Sequence, residues 1–128
     1  MRYRSIILAT LSALFVAASV LSADAQPSGN PSVSGGEKLY QQYCTPCHGV
    51  KGDGNGFNAG NLDPRPTNHS DAVLMSKKSD RELNDAISGG GRAVGKATLM
   101  PPWGNTFSKD QIVSIVLYLR KLCGCREL

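Results

Sequence analysis

Hydrophobic side chains recur at helical spacing in three parts of the chain. The longest stripe predicts a helix from residue 109 to about residue 122, and Ser108 and Gln111 form a capping box at its start. A second capping box, Ser79 with Glu82, begins another helix, which should end at the three glycines 89–91. A third stripe predicts a helix from about residue 35 to residue 47. No segment has the alternation of a strand, so the pattern predicts an all-α domain.

Long loops separate these predicted helices. Residues 49–60 are rich in glycine and predict a loop throughout, and Pro64 and Pro66 hold the next segment extended. A short helix is predicted over residues 72–75. Loops of this length in so small a domain need a scaffold. The residues predicted to form the core are Leu39, Tyr40, Leu83, Ile87, Leu99, Ile112, Ile115, Val116 and Leu119.

Residues 1–25 have the pattern of a secretory signal peptide. Arg2 and Arg4 precede an apolar run over residues 6–21, and Ala23 and Ala25 supply the small side chains of a cleavage site. Cleavage is predicted after Ala25. The alternative is an uncleaved membrane anchor, but the run is shorter than the roughly 20 residues that a span needs. The rest of the chain divides into a flexible linker (residues 26–34), a folded domain (residues 35–122) and a C-terminal tail (residues 123–128).

Composition indicates that the domain needs help to form a core. Outside the leader, 35 of 103 residues are hydrophobic, and all 14 Gly and all 7 Pro lie there. Such a chain is either disordered or completed by a non-protein component. Loss of the leader leaves 12 basic and 9 acidic side chains and a net charge of +3. That excess is too weak to indicate nucleic-acid binding, and it suits docking on an acidic protein surface.

The clearest chemistry lies in Cys44-Thr45-Pro46-Cys47-His48, the attachment signature of c-type haem. Two thiols three residues apart near a helix end reach both vinyl groups on one side of a porphyrin and form thioethers. The next residue, His48, then offers its imidazole to the iron. The export signal supports this interpretation, because haem of this kind is attached outside the cytoplasm. One covalently bound haem c is therefore predicted, and it would complete the apolar core.

Three other kinds of site use the same cysteines. A thioredoxin-like redox pair would follow a strand, whereas this motif ends a helical pattern. A zinc site would add Cys123 or Cys125 to the motif, although the C-x-C spacing of that second pair is narrower than usual. The third alternative is a structural disulfide between Cys44 and Cys47.

The second axial ligand of the iron has three candidates, Met100, Met75 and His69. Met100 is favoured because it lies in an extended segment before the last helix, where its sulfur can be held against iron without bending a helix. Met75 falls in a predicted helical turn, where burial in the core is the alternative role. His69 falls in a polar loop, where a solvated imidazole is expected. An open sixth position is the remaining alternative.

The chain resembles the monohaem class I c-type cytochromes over about residues 35–120. Four groups of residues in the right order carry the resemblance: Gly36 and Tyr40, then Cys44 to Gly49, then Met100-Pro101-Pro102-Trp103, then Ile115 and Tyr118.

This resemblance implies a cytochrome c-like helical domain wrapped around one covalently attached haem. It implies thioethers from Cys44 and Cys47 and axial ligation by His48 and Met100. In that family a proline carbonyl accepts the Nδ1–H of the first axial histidine, a role that Pro64 or Pro66 could take.

The function implied is electron transfer. With both axial positions filled, the iron has no vacant site for oxygen or peroxide, so we expect a periplasmic carrier that shuttles single electrons between redox proteins and is not an enzyme. The alternatives are a cytochrome subunit of a larger dehydrogenase or oxidase, and a haem enzyme or gas sensor with a displaceable methionine. Membrane contact is expected only with an uncleaved leader. The basic residues expected to surround the exposed haem edge and dock the partner are Lys51, Arg65, Arg92, Lys96 and Lys109.

Cys123 and Cys125 are the thiols left after haem attachment. An exported chain is expected to oxidise such a pair. An internal bridge is favoured, and its small loop should strain the bond. The alternatives are a covalent link to a partner or second copy, and a frayed tail with two inactive thiols.

Overall fold

The computed structural model describes residues 29–126. Over this range the chain is helical and contains no strand, as predicted. The predicted signal peptide, linker residues 26–28 and residues 127–128 lie outside the described residues. None of the helices within 29–126 combines the length and the apolar character that a membrane span requires.

Within residues 29–126 the structure has five α-helices: α1 (Val33–Tyr43), α2 (Thr45–His48), α3 (Ala72–Ser76), α4 (Asp80–Ala93) and α5 (Lys109–Cys123). One 3₁₀ turn, Ala59–Asn61, interrupts the segment that was predicted to be loop throughout. Both predicted capping boxes are present. In α4 the Ser79 hydroxyl accepts from the Glu82 N–H, and in α5 the Ser108 hydroxyl accepts from the Gln111 N–H.

Helix α1 begins two residues earlier than predicted, so Val33 and Ser34 belong to the helix and not to the linker. The reason is a cap that sequence spacing did not reveal. The Ser32 hydroxyl accepts from the Gly35 N–H at 3.1 Å. The Ser32 N–H in turn donates to the Ser114 hydroxyl at 3.1 Å, which ties the start of α1 to α5.

The crossing of α1 and α5 is the most extensive contact between helices. At the crossing, a Cβ added to Gly36 would lie 1.8 Å from the Ser114 carbonyl oxygen. Because that neighbour is backbone, the two helices approach this closely only where one of them has no side chain.

Gly36→Ala should therefore lower the free energy of unfolding by about 2 kcal/mol or more, since relieving the overlap must separate the two helices. Denaturant unfolding of the purified haem-loaded protein measures the change. Ser34→Ala, at an exposed position of the same helix, should stay within about 0.5 kcal/mol of the wild type. Equal stability of Gly36→Ala and Ser34→Ala would show that the crossing is looser than described.

Seven of the nine residues predicted to form the core are buried in it, and the prediction is wrong for the other two. Leu39 is half-buried at the edge of the core, and Leu99 is 65% exposed. Leu99 points outward because its neighbour Met100 is tied to α4 by a backbone hydrogen bond and faces inward. The buried core residues are Tyr40, Met75, Leu83, Ile87, Phe107, Ile112, Ile115, Val116, Tyr118, Leu119 and Cys123. Phe107, Tyr118 and Cys123 are core residues that the sequence did not predict, and Met75 takes the core position that was its alternative role.

A disulfide joins Cys123 and Cys125 at the end of α5, which confirms the predicted internal bridge. Cys123 is the last residue of α5 and is buried, so the helix reaches one residue into the predicted tail. Gly124 supplies the left-handed turn between the two cysteines, with φ of 60°.

Candidate functional site

A cavity of about 300 Å³ opens on one side of the core, within the usual size range of ligand sites. Cys44, Cys47, His48 and Met100, the four residues predicted from the sequence to bind the cofactor, all line it. Its other walls are largely apolar: Tyr40, Tyr43, Leu62, Pro64, Leu83, Ala86, Ile87, Val94, Ala97, Pro101, Trp103, Ile115 and Leu119 belong to them. The fold thus brings two thiols, one imidazole and one thioether together in apolar surroundings.

The haem motif sits where α1 gives way to the single turn α2. The Cys44 N–H still bonds to the Tyr40 carbonyl at 2.9 Å, as the next residue of α1 would. The His48 N–H donates to the Cys44 carbonyl at 2.9 Å, so one helical turn carries both thiols and the imidazole. Cys44 and Cys47 are free and are not bonded to each other. The two thiols are therefore available for two thioethers.

Burial, together with a smaller effect of the nearby Cys47, raises the pKa of the Cys44 thiol to about 12. A redox-active cysteine of the thioredoxin kind needs a lowered pKa, because the thiolate is the nucleophile. The surroundings of Cys44 therefore do not suit thiol–disulfide chemistry.

The zinc alternative lacks its ligands. Cys123 and Cys125 are bonded to each other in the disulfide. Across residues 29–126, no three side chains of His, Cys, Asp or Glu converge to form a metal site. The structural-disulfide alternative also fails here, because Cys44 and Cys47 are both free thiols.

The His48 imidazole is oriented by a backbone acceptor. Its Nδ1–H donates to the Thr67 carbonyl at 3.1 Å. Burial lowers the pKa of His48, and this effect outweighs the opposing effect of that hydrogen bond. The ring is therefore neutral near pH 7, with its proton on Nδ1 and the Nε2 lone pair free to bind a metal.

The prediction that a carbonyl of Pro64 or Pro66 accepts this hydrogen bond is wrong. The acceptor is Thr67, the residue after Pro66. The Pro66 carbonyl faces the loop after the haem motif instead, where a Cβ on Gly54 would lie 2.7 Å from its oxygen. Successive carbonyls of an extended chain point in opposite directions. With Pro66 turned toward Gly54, the Thr67 carbonyl is the one that faces His48.

Met100 is held by the glycine-rich end of α4. Gly90 has φ of 73°, which breaks the helix where the sequence predicted its end, although helical turns resume as far as Ala93. The Gly91 N–H donates to the Met100 carbonyl at 3.0 Å. A Cβ on Gly91 would lie 2.0 Å from the Ala97 carbonyl oxygen, so the loop can rest against α4 only at a glycine. These two backbone contacts therefore fix the segment that carries the thioether.

The two other candidate ligands occupy different places. Met75 is fully buried in α3 and is not part of the cavity wall. It therefore has the alternative role predicted for it, that of a core residue. His69 lines the cavity, and its ring stacks on that of His48 with 4.1 Å between centroids. The expectation of a solvated His69 is wrong, because Tyr40 of the buried core reaches its Nδ1.

The basic residues are less concentrated around the cavity than predicted. All five are exposed, but only Arg65 and Lys96 belong to the cavity wall. Lys78, which was not among them, lines the cavity as well, together with Glu82.

Comparison with known proteins places the chain in a family. Residues 31–119 match the family described as cytochrome c oxidase, cbb3-type, subunit III, and the chain belongs to it. No curated protein sequence gives a significant match.

The solved structures that are similar to the chain include the following three. The reducing HAO-like protein complex Kustc0457/Kustc0458 of Kuenenia stuttgartiensis is 27% identical, with a TM-score of 0.57 over 75% of this chain and 44% of that one. The KustC0563 c-type cytochrome is 26% identical, with a TM-score of 0.54 over 72% and 98%. Cytochrome CL of the marine methylotroph Methylophaga aminisulfidivorans MPT is 26% identical, with a TM-score of 0.53 over 70% and 51%.

These matches define a c-type cytochrome with covalently bound haem c and a role in electron transport. The described residues fit that cofactor, since the thiols, the metal-binding nitrogen and the thioether all face one apolar cavity. The chain spans less than half of the first of these structures and about half of the third.

Proposed function

We propose that Cys44 and Cys47 form the two thioethers and that His48 and Met100 are the axial ligands of the haem iron. One observation carries this assignment, the convergence of these four side chains on a single apolar cavity. The hydrogen bond from His48 Nδ1 to Thr67 supports it, because it leaves Nε2 as the free donor atom. His69 is disfavoured as the sixth ligand, because its ring stacks on that of His48. A second axial ligand would have to approach the iron from the side opposite His48.

Bound haem supplies an iron that cycles between ferric and ferrous states. The chain's own part is to hold that iron with two protein ligands and to keep water from it. His48 is fixed by Thr67, and Met100 is fixed by Gly91 through the backbone. Two firmly held ligands leave no exchangeable position for a substrate, so the site favours electron transfer over catalysis. We therefore propose an electron carrier that is not an enzyme.

The carrier is proposed to act in the periplasm, since residues 1–25 have the sequence pattern of a secretory signal peptide. Arg65 and Lys96 lie at the cavity wall and are exposed, and they would meet an acidic redox partner first. Attraction between these basic side chains and an acidic partner raises the association rate at low ionic strength. The rate falls as added salt screens the charges. Lys51, Arg92 and Lys109 would add to the overall positive field.

A second candidate is a subunit of a larger redox enzyme. The family description names a subunit of an oxidase, and one similar structure is a protein complex. In that case the chain would pass electrons within a stable assembly and not diffuse between partners.

Gel filtration of a periplasmic extract from the source organism, followed at the haem absorption, separates the two. A free carrier elutes near the mass of the single chain, and its rate of electron exchange with an acidic redox protein falls as salt is added. Elution with a larger redox protein at moderate salt would contradict the carrier and favour the subunit.

A further inference from the structure

His69 contacts the proposed axial ligand His48 face to face. The ring centroids are 4.1 Å apart and the ring planes are inclined by only 15°. Neither the motif nor the spacing of the sequence suggested this pairing, because the two residues are separated by the whole loop after the haem motif. The contact gives His69 a position from which it acts on the ligand itself.

Two hydrogen bonds fix His69 where it is. Its N–H donates to the Gly52 carbonyl at 2.6 Å, which anchors its backbone to the loop behind the haem motif. Its Nδ1 shares a hydrogen bond with the Tyr40 hydroxyl at 3.1 Å. Tyr40 is fully buried in α1 and meets His69 edge to face, with 5.8 Å between centroids. The His69 ring is therefore held by rigid parts of the fold.

The two neighbours of His48 restrain different motions of its ring. The hydrogen bond to Thr67 fixes the direction in which the Nδ1–H edge points, but it leaves the ring free to rotate about the line from Nδ1 to the acceptor oxygen. A flat ring 4.1 Å away opposes that rotation, since a rotated imidazole would collide with it. Only the two contacts together define the plane of the ring.

We propose that His69 is a positioning residue that sets the plane of the His48 imidazole at the haem iron. This rests on the proposed function, in which His48 is an axial ligand. The plane has a chemical consequence, because the imidazole π orbitals overlap with iron d orbitals along a direction that the ring plane selects. In the ferric protein that direction contributes, together with the orientation of the other axial ligand, to how unpaired spin is distributed among the four pyrrole rings.

Proton NMR of the ferric holoprotein tests this, because the shifts of the four haem methyl groups report that spin distribution. His69→Phe keeps a flat ring without nitrogen atoms, and His69→Gln keeps a polar side chain without a ring. The phenylalanine variant should keep the wild-type order and spread of methyl shifts, and the glutamine variant should change both. Met75→Ala is the matched control, since it removes a buried side chain that does not line the cavity. It should lower the melting temperature and leave the methyl shifts unchanged.

A wild-type shift pattern in His69→Gln would overturn the proposal and leave His69 as a packing residue. So would equal changes in the phenylalanine and glutamine variants. If His69→Gln fails to retain haem, His69→Leu carries the test, since it keeps an apolar side chain at this position but has no flat ring. It should shift the methyl signals, and an unshifted spectrum would overturn the proposal. Failure of the proposed ligation itself is recognised separately, because the wild-type protein would then lack the spectrum of low-spin iron with histidine and methionine ligands.

Discussion

Replacing Cys44 and Cys47 together by alanine is expected to abolish both covalent haem attachment and stable helical structure. Only about a third of residues 26–128 are hydrophobic, and core residues such as Leu83, Ile87 and Ile115 form part of the cavity wall. Haem that buries on the order of 400 Å² of apolar surface contributes about 10 kcal/mol at ~25 cal/mol per Å². That is as large as the whole net stability of a typical domain, ~5–15 kcal/mol.

Circular dichroism with thermal melting measures this effect. The matched control replaces Cys123 and Cys125 by alanine, which removes the disulfide but leaves the haem motif intact. That variant should keep its haem and its helical signal. A Cys44/Cys47 double variant that melts cooperatively as a helical apoprotein would refute the idea that haem completes the core.

Met100→Ala should lower the reduction potential and open the iron to carbon monoxide or azide. The thioether raises the potential relative to a histidine or water ligand, and its removal leaves a coordination position vacant. Potentiometric titration and carbon monoxide binding to the reduced protein measure the two effects. Carbon monoxide bound as readily by the wild type would favour the displaceable-methionine alternative, a haem enzyme or gas sensor.

Met75→Ala is the control for this experiment as well. Met75 is 0% exposed and does not line the cavity, so its loss should cost about 2–5 kcal/mol of stability through the space left in the core. The reduction potential and the carbon monoxide binding of Met75→Ala should match those of the wild type. If instead the charge-transfer band of ferric methionine-ligated haem survives in Met100→Ala, Met100 is not the ligand.

Much of the fold could be predicted from local sequence signals. Each capping box, at Ser79 and at Ser108, marks the start of a helix with residues only three positions apart, and an apolar stripe follows along α5. Such signals need no knowledge of tertiary structure. The start of α1 was missed because part of its cap comes from Ser114, which lies 82 residues away in the chain.

In the candidate site, too, the local features could be predicted from the sequence and the long-range contacts could not. The haem motif and the Met100 segment are contiguous in sequence, so their residue types and spacing already indicate the chemistry. The support around them is long-range. Thr67 is the acceptor for His48 because of how Pro66 meets Gly54, and His69 reaches His48 through a loop whose polar composition suggested solvent exposure. No local pattern encodes which carbonyl or which ring face will be nearest.

The most direct test of the account is whether haem stays on the polypeptide when the purified protein is denatured and extracted with acidified organic solvent. Absorption spectra of the extracted chain, taken with and without a reductant, reveal the cofactor and its redox change. We predict that the haem remains with the protein and that its ferrous spectrum is that of a porphyrin with both vinyl groups converted to thioethers. Haem that leaves with the solvent, or a chain without haem absorption after export, would contradict the assignment of Cys44 and Cys47.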